Sequence, residues 1–337
     1  MIKRILVLIV ALVLLYGAAW LGAAFWLRAR ASALEADLTA QGYQIARSEP
    51  AFVGFPWYVG LKSAEMTVDA PAAHGGWRWH AAPIVFRLNV GAPTTPSIDL
   101  SGVQQITDLL SDAGAGLTLI VGRGTARFGF AADQSLDSFT LNLADTTVTG
   151  AASSEPHMSL GNVELGFAMR SGHISLRIDG LGLAAPMPAL NATIREVELA
   201  IDVTGALPSG PLKPALEAWR DSGGAVEVRS FRLDWPPVRV TGSGTFALDT
   251  ALQPEGAATL TLQGFADLIA ALQSKGYVQE SEAHLATTAL GMLARPSATG
   301  EPELSLPVTI QERKLQAGPV TLMAMPEVIW SDKAKVP

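Results

Sequence analysis

Between Gly172 and Gly180 the chain reads His-Ile-Ser-Leu-Arg-Ile-Asp, with apolar and polar side chains in strict alternation. A period of two puts successive side chains on opposite faces of an extended chain, so this segment predicts a half-buried strand. The same alternation runs through Phe139–Val148, Ile194–Val203 and Val226–Trp235. Turn signals return roughly every 8–15 residues, a rhythm that favours antiparallel strands in a long sheet or barrel over βαβ units. Helical periodicity is confined to short stretches. Pro214–Arg220 is one. Phe265–Leu272 is a second, with Phe265, Leu268, Ile269 and Leu272 on one face. Ser281–Ala294 is a third, with Ser281 as its candidate cap and Leu285, Leu290 and Leu293 inside it. The proline-rich steps Gly91–Pro96 and Ala185–Pro188 read as loops, and Leu207–Pro214 as a boundary between two halves. Val121–Thr125 and Thr241–Thr245 share a Gly-x-Gly-Thr ending 120 positions apart. That echo raises a duplicated β module, although so short a Gly-rich stretch also recurs by chance.

The N-terminus follows a different pattern. After Lys3 and Arg4, Ile5–Leu27 runs 23 residues without a charge. At about 1.5 Å per helical residue this spans a hydrocarbon core of roughly 30 Å. A signal peptide would have a shorter apolar region followed by a small-x-small cleavage site, which Ala31-Ser32-Ala33 offers. The apolar run is too long for that and ends in bulky aromatics and Arg28, so the segment predicts an uncleaved anchor. Trp20, Phe25 and Trp26 fall where membrane-interface aromatics usually sit. A short basic head stays inside while a long C-terminal body is translocated, which places that body in the periplasm of a Gram-negative cell, held to the inner membrane. From Ala29 the helix is expected to continue, with Leu34 and Leu38 four apart, and to stop at Gly42.

The resulting fold class is mainly β with a few short helices: a transmembrane helix in residues 1–30, then a large curved antiparallel sheet. The sheet forms either two related halves, 31–206 and 207–337, or one continuous domain over 31–337. Charged residues make up 16% of the chain, against about 25% in ordinary soluble domains, while 49% is hydrophobic. With the four basic residues of the anchor region set aside, 20 basic face 31 acidic residues, a net of −11. So acidic a body is a poor ligand for nucleic acid. There is no cysteine, which excludes disulfides, thiolate metal sites and thiol nucleophiles.

No motif for catalysis emerges. Gly242 and Gly244 lack the third glycine and the following helix of a nucleotide-binding turn, because Thr245–Asp249 continues as a strand. They read instead as a bulge or tight bend. The five histidines, His74, His80, His157, His173 and His284, show no metal-ligand spacing. In Trp77-Arg78-Trp79-His80 the two tryptophans share one strand face, and Arg78 and His80 the other. Gly-x-Ser-x-Gly does not occur. No catalytic residue, cofactor or metal is expected.

The apolar features are the candidates that remain. In Gly54–Ser63, Phe55, Trp57 and Val59 alternate with Pro56, Tyr58 and Gly60 and would share one face of a first strand near the bilayer. These three residues are either an ordinary buried strand start or a lip at which an apolar ligand meets the membrane.

The same Gly-Phe-Pro step soon after an anchor resembles the bacterial family catalogued as domain of unknown function 2125. Three other stretches share the resemblance: Gly242–Asp249 with Pro254-Glu255-Gly256 and Ala258–Leu262, the amphipathic Phe265–Leu272 ending near Gly276, and Gly318–Leu322. The sequence departs from the expected glycine-proline steps at Met323-Ala324-Met325-Pro326. The resemblance implies an envelope protein with no assigned reaction and no catalytic residues to carry over. Its layout is similar to that of AsmA-like envelope proteins, which implies an association with lipid movement and outer-membrane homeostasis. The function expected is therefore binding or passage of an apolar ligand such as lipid. The alternative is a structural or assembly factor that engages another envelope protein through a sheet edge.

Overall fold

The computed structural model describes residues 2–89, 91–109, 116–133, 135–150, 157–184, 189–205, 212–297, 300–318 and 320–330. Strand accounts for 53% of the described residues. A long apolar helix comes first and a large open antiparallel sheet follows, as the alternation predicts. The chain divides into two compact units, Met1–Glu155 and Pro156–Pro337.

In the first unit, α1 (Ile2–Ala40) runs through the uncharged segment and 13 residues beyond Leu27. Gly42, at φ 92°, ends it, and the Tyr43 N–H turns back to the Leu38 carbonyl at 3.1 Å. Its apolar side chains from Ile5 to Leu15 are exposed, as they are in a helix with no protein around it. Arg47 and Glu35 form an ion pair between the strand that follows and the far end of α1. Among the described residues ten strands follow: β1 (Gln44–Arg47), β2 (Ala51–Val53), β3 (Tyr58–Ser63), β4 (Met66–Asp69), β5 (Trp77–Ala82), β6 (Ile84–Asn89), β7 (Ala92–Asp99), β8 (Gly102–Asp108), β9 (Gly116–Phe130) and β10 (Leu136–Gly150). They fork about β9. One of its edges pairs with β10 from Leu117 to Phe130. Its other edge pairs first with β8, up to Val121, and then with β7, from Thr125 to Arg127. The β8 branch continues through β5 and β4 to β1, and the β7 branch through β6 and β3 to β2. Met66, Val68 and Ala81 from one branch and Ile84 from the other make a core, with Trp77, Trp79, Phe86 and Ile98 packed on it. As expected, the two tryptophans of β5 share the core face. On the opposite face Arg78 pairs with Asp69 at 2.6 Å and His80 bonds Thr67 at 3.0 Å.

The expected loop Gly91–Pro96 is instead the start of β7. Asn89 faces Ala92, yet Arg87 faces Ser97, so the residues between form a wide bulge. Pro93 and Pro96 cannot donate to a ladder, and a bulge needs no donor from them. Local proline content thus predicted the missing hydrogen bonds but not the extended backbone.

In the second unit the strands β11 (Met158–Ala168), β12 (His173–Leu183), β13 (Thr193–Thr204), β14 (Ala225–Trp235), β15 (Val238–Leu248) and β16 (Pro254–Gln263) pair antiparallel in chain order. Beyond β16 come β18 (Pro302–Gln311), β19 (Lys314–Ala317) and β20 (Val320–Ala324), with the two-residue β17 (Arg295–Pro296) beside β18. Helix α2 (Leu212–Asp221) lies between β13 and β14, and α3 (Phe265–Ser274) and α4 (Glu280–Leu293) between β16 and β17. The cap of α4 is Gln279, not Ser281, and its N–H donates to Glu282 at 3.1 Å. The acid three residues on provides the return bond that Ser281 cannot. The expected boundary near Leu207–Pro214 falls inside this unit. Leu207–Pro211 lie outside the described residues, as do Ala185–Pro188, but β13 and β14 on either side pair from Glu196–Asp234 to Thr204–Ala225. The units divide at Glu155 instead.

Gly242 and Gly244 lie mid-strand in β15, which continues to Leu248; the bulge or tight bend expected at them falls instead in β14, between Val228, which faces Gly244, and Phe231, which faces Gly242. A methyl at Gly244 would stand 2.5 Å from the Ala258 Cβ and 2.6 Å from the Ala257 oxygen. Gly291, in α4, has nothing within 4 Å. Gly244→Ala is therefore expected to destabilise by about 1–3 kcal/mol, and Gly291→Ala to stabilise by about 0.5–1 kcal/mol through helix propensity. Unfolding midpoints of the two full-length variants should move in opposite directions.

Candidate functional site

The strand register of the second unit sorts side chains into rows. Leu165, Leu176, Leu199, Phe231, Gly242, Leu260 and Leu306 lie directly opposite one another across seven strands. Val163, Ile178, Val197, Leu233, Val240, Leu262 and Leu304 form a second row two residues away, and Phe167, Ile174, Ile201, Val228, Gly244, Ala258 and Val308 a third. All three rows lie on the same face. Val163 and Leu304, at the ends of their row, are buried; the rest of the rows are half-buried, and Leu306 is exposed. In a sheet packed on a second layer these positions would be closed off. Helices α3 and α4 pack on each other and touch the sheet mainly at β15 and β18. With strands about 4.8 Å apart and same-face residues about 6.8 Å apart, the three rows cover on the order of 600 Å². That is at the upper limit of what a soluble monomer leaves open.

The other face is polar in the same register. Glu164, Arg177, Glu198, Arg232, Thr241, Thr261 and Ser305 form one row, alternating in charge over its first four members. Arg177 reaches Glu196 at 2.7 Å, and Arg239 reaches Asp234 at 3.3 Å. Exposed pairs of this kind contribute only about 0–1 kcal/mol each, so the lattice makes this face soluble more than it holds the sheet together. Further along, Asp202 is buried between His173, at 2.7 Å, and Arg229. The hydrogen bond from His173 holds the Asp202 carboxyl below its ordinary value of 3.8; burial opposes the shift and Arg229 reinforces it.

The apolar rows cross a bulge that the period-two pattern did not predict. Ile201 faces Val228 but Ala200 faces Ser230, so Arg229 is an extra residue in β14. The side-chain phase flips there: Val226 and Val228 before the bulge share a face with Phe231 and Leu233 after it. The two consecutive polar residues Arg229-Ser230 inside an alternating run are the signal that could have located it.

The stretch Gly54–Ser63 also differs from expectation. Strand β3 begins only at Tyr58, and Phe55 and Trp57 lie in the turn before it. The Trp57 and Tyr58 N–H groups both donate to the Gly54 carbonyl, at 2.8 and 3.0 Å. Gly54 sits at φ 101°, and any Cβ there would meet the Tyr58 ring at 2.4 Å, so the turn requires glycine. Val59 is 1% exposed, whereas Phe55 and Trp57 are 55% and 82% exposed, so the three do not share a face. Trp20 does not face outward. It is buried with Ala24 and Val59, stacks edge-on against Phe55 at 5.5 Å, and donates from Nε1 to the Tyr58 carbonyl at 2.9 Å. Phe25 meets Phe52 at 5.3 Å and stays largely exposed, as does Trp26. Tyr16, which the sequence did not single out, donates to the Pro56 carbonyl and packs on Phe55 at 6.0 Å. A lone hydroxyl in mid-span was its signal.

Two open depressions, of about 350 and 270 Å³, lie on β13–β16 and on β15, β16 and β18. The first is lined by Glu198, Arg229, Arg232, Thr241 and Thr261 and belongs to the polar face. Neither is an enclosed apolar cavity. Among the described residues no group of three His, Asp or Glu side chains is arranged to hold a metal.

These features define a β-rich protein led by one helix long and apolar enough to cross a membrane, with an open amphipathic sheet behind it. The chain belongs to the DUF2125 family, described as uncharacterized protein conserved in bacteria, whose model matches residues 20–326. Neither a curated protein nor a solved structure matches it.

A carboxylate with a lowered folded value stabilises the fold above its unfolded value, and this contribution is lost as pH falls through the folded one. Asp202→Asn should therefore lower stability at neutral pH and flatten the decline of the urea midpoint on acidification below about 3.8. Urea titrations at a series of pH values measure both effects.

Proposed function

We propose that the apolar face of the second unit binds acyl chains, in a protein held to the bacterial inner membrane by α1 with its body on the periplasmic side. The observation that carries this reading is the set of three apolar rows, in register across seven strands and only half-buried at their centres. Hydrocarbon needs a wide apolar contact and few polar groups, and an open face provides that without a closed cavity. The opposite face, with its charged lattice, remains in water. The basic head of α1 and the acidic body support the orientation and argue against a nucleic-acid partner. The role is one of binding rather than catalysis.

A second reading has one observation of its own. Val320, Leu322 and Met323 on β20 are exposed, and among the described residues β20 pairs only with β19. Such an edge could accept a strand from an envelope protein.

A photoreactive phenylalanine analogue placed at Leu199 or Leu260 of the full-length protein in cells should form lipid adducts, detectable by mass spectrometry of the purified chain. The same analogue at Thr259, on the polar face, should not. Protein adducts at Leu322 with none of lipid at Leu199 or Leu260 would transfer the assignment to the edge.

A further inference from the structure

We infer that the turn Phe55-Pro56-Trp57 inserts into the bilayer beside α1, as a second membrane contact that sets the depth of the body. Four observations converge on it. Tyr16 lies 12 residues from both Arg4 and Arg28, the charges that bracket the apolar segment. That separation is about 18 Å on either side. With Arg4 at one boundary of a hydrocarbon core of roughly 30 Å, the other boundary falls near Ala24, and Tyr16 lies about 12 Å inside it. If Lys3 and Arg4 reach about 6 Å further toward the head groups, Tyr16 is still below the surface. The turn is bound to Tyr16 itself, through the Pro56 carbonyl and the Phe55 ring, so it shares that depth.

The chain around the turn is suited to that location. Pro50–Leu61 is a second uncharged run, bounded by Glu49 and Lys62. Glu49 pairs with Arg28 at 3.7 Å, so charge returns on the strand side where it returns on the helix. Arg87, opposite Gly60, holds its guanidinium 5.2 Å from the Tyr58 ring centre and pairs with Asp99, so the charge of β6 is neutralised; nearer the turn the one polar side chain of β6 is the uncharged Asn89, opposite Tyr58. The tip beyond it consists of Phe55, Pro56 and Trp57, with Trp57 82% exposed.

Hydrocarbon also demands that backbone polar groups find partners within the protein. Pro56 has no N–H, and the N–H groups of Trp57 and Tyr58 both bond the Gly54 carbonyl. The carbonyls of Pro56 and Tyr58 accept from the Tyr16 hydroxyl and the Trp20 indole. Two polar groups of the anchor, themselves costly in lipid, thus satisfy two acceptors of the turn. The inference holds whether or not the apolar sheet face takes lipid.

The chain has no cysteine, so a single introduced thiol is a unique label. Trp57→Cys, Leu14→Cys and Thr259→Cys would each be spin-labelled in the full-length protein and reconstituted in vesicles of phosphatidylethanolamine and phosphatidylglycerol. The label at Trp57→Cys should relax preferentially with oxygen, as at Leu14→Cys, and respond to a water-soluble nickel chelate several-fold less than at Thr259→Cys. Equal nickel accessibility at positions 57 and 259 would overturn the inference. Phe55→Cys provides an independent reading of the same tip, and far-UV circular dichroism checks that each variant keeps its strand content.

Discussion

An antiparallel sheet has two faces, and an apolar face is closed only by a second layer. The first unit meets this condition: its two branches of strands fold about β9 and close on Ile84 and Ala81, both fully buried. The second unit keeps the same alternation but leaves the centre of its apolar rows only half-buried. Everything distinctive about the candidate site follows from that difference. Covering those rows would contribute about 25 cal/mol for each Å² removed from water. The fold leaves that stabilisation to whatever occupies the face.

The polar lattice is the counterpart of this arrangement. Its pairs are weak one by one, but like charges directly opposite would oppose strand pairing. Glu164, Arg177, Glu198 and Arg232 alternate in sign, and the acids Asp179, Glu196 and Asp234, which do face one another, are bridged by Arg177, Arg232 and Arg239. A register slip of one residue would bring the lattice to the apolar side and the leucines to water. The two faces therefore enforce one register together, without a packed interior to do so.

Much of this was legible in the sequence, and the limits have physical causes. Alternation between Gly172 and Gly180 specifies a strand and its two faces because both are local properties. It does not say which strand lies alongside, so the fork at β9 and the division at Glu155 depend on contacts distant in sequence. Proline marks a missing donor, which is compatible with a loop or with the bulged start of β7. Aromatics near the end of an apolar helix look the same whether they face lipid or protein. Hence Trp20 was legible as an aromatic near the end of the apolar helix, while its burial and its bond to Tyr58 were not. Phe55, Trp57 and Val59 were legible as an uncharged apolar stretch, but the turn that separates Phe55 and Trp57 from Val59 depends on the Gly54 backbone, which alternation does not encode.

The bulge in β14 also bears on how such a sheet changes over generations. Taking Ser230 out of the chain would leave Val226, Val228, Phe231 and Leu233 in unbroken alternation, with every apolar side chain on its present face. The extra residue and the flip in phase cancel. A strand of this kind absorbs an insertion when the added residue can swell outward at a polar position, and Arg229 does so while remaining bonded to Asp202. Anywhere else in the rows a single insertion would invert half a strand. Lineages of this sheet should therefore vary freely in turn length, while inside the strands the tolerated indels gather at bulges.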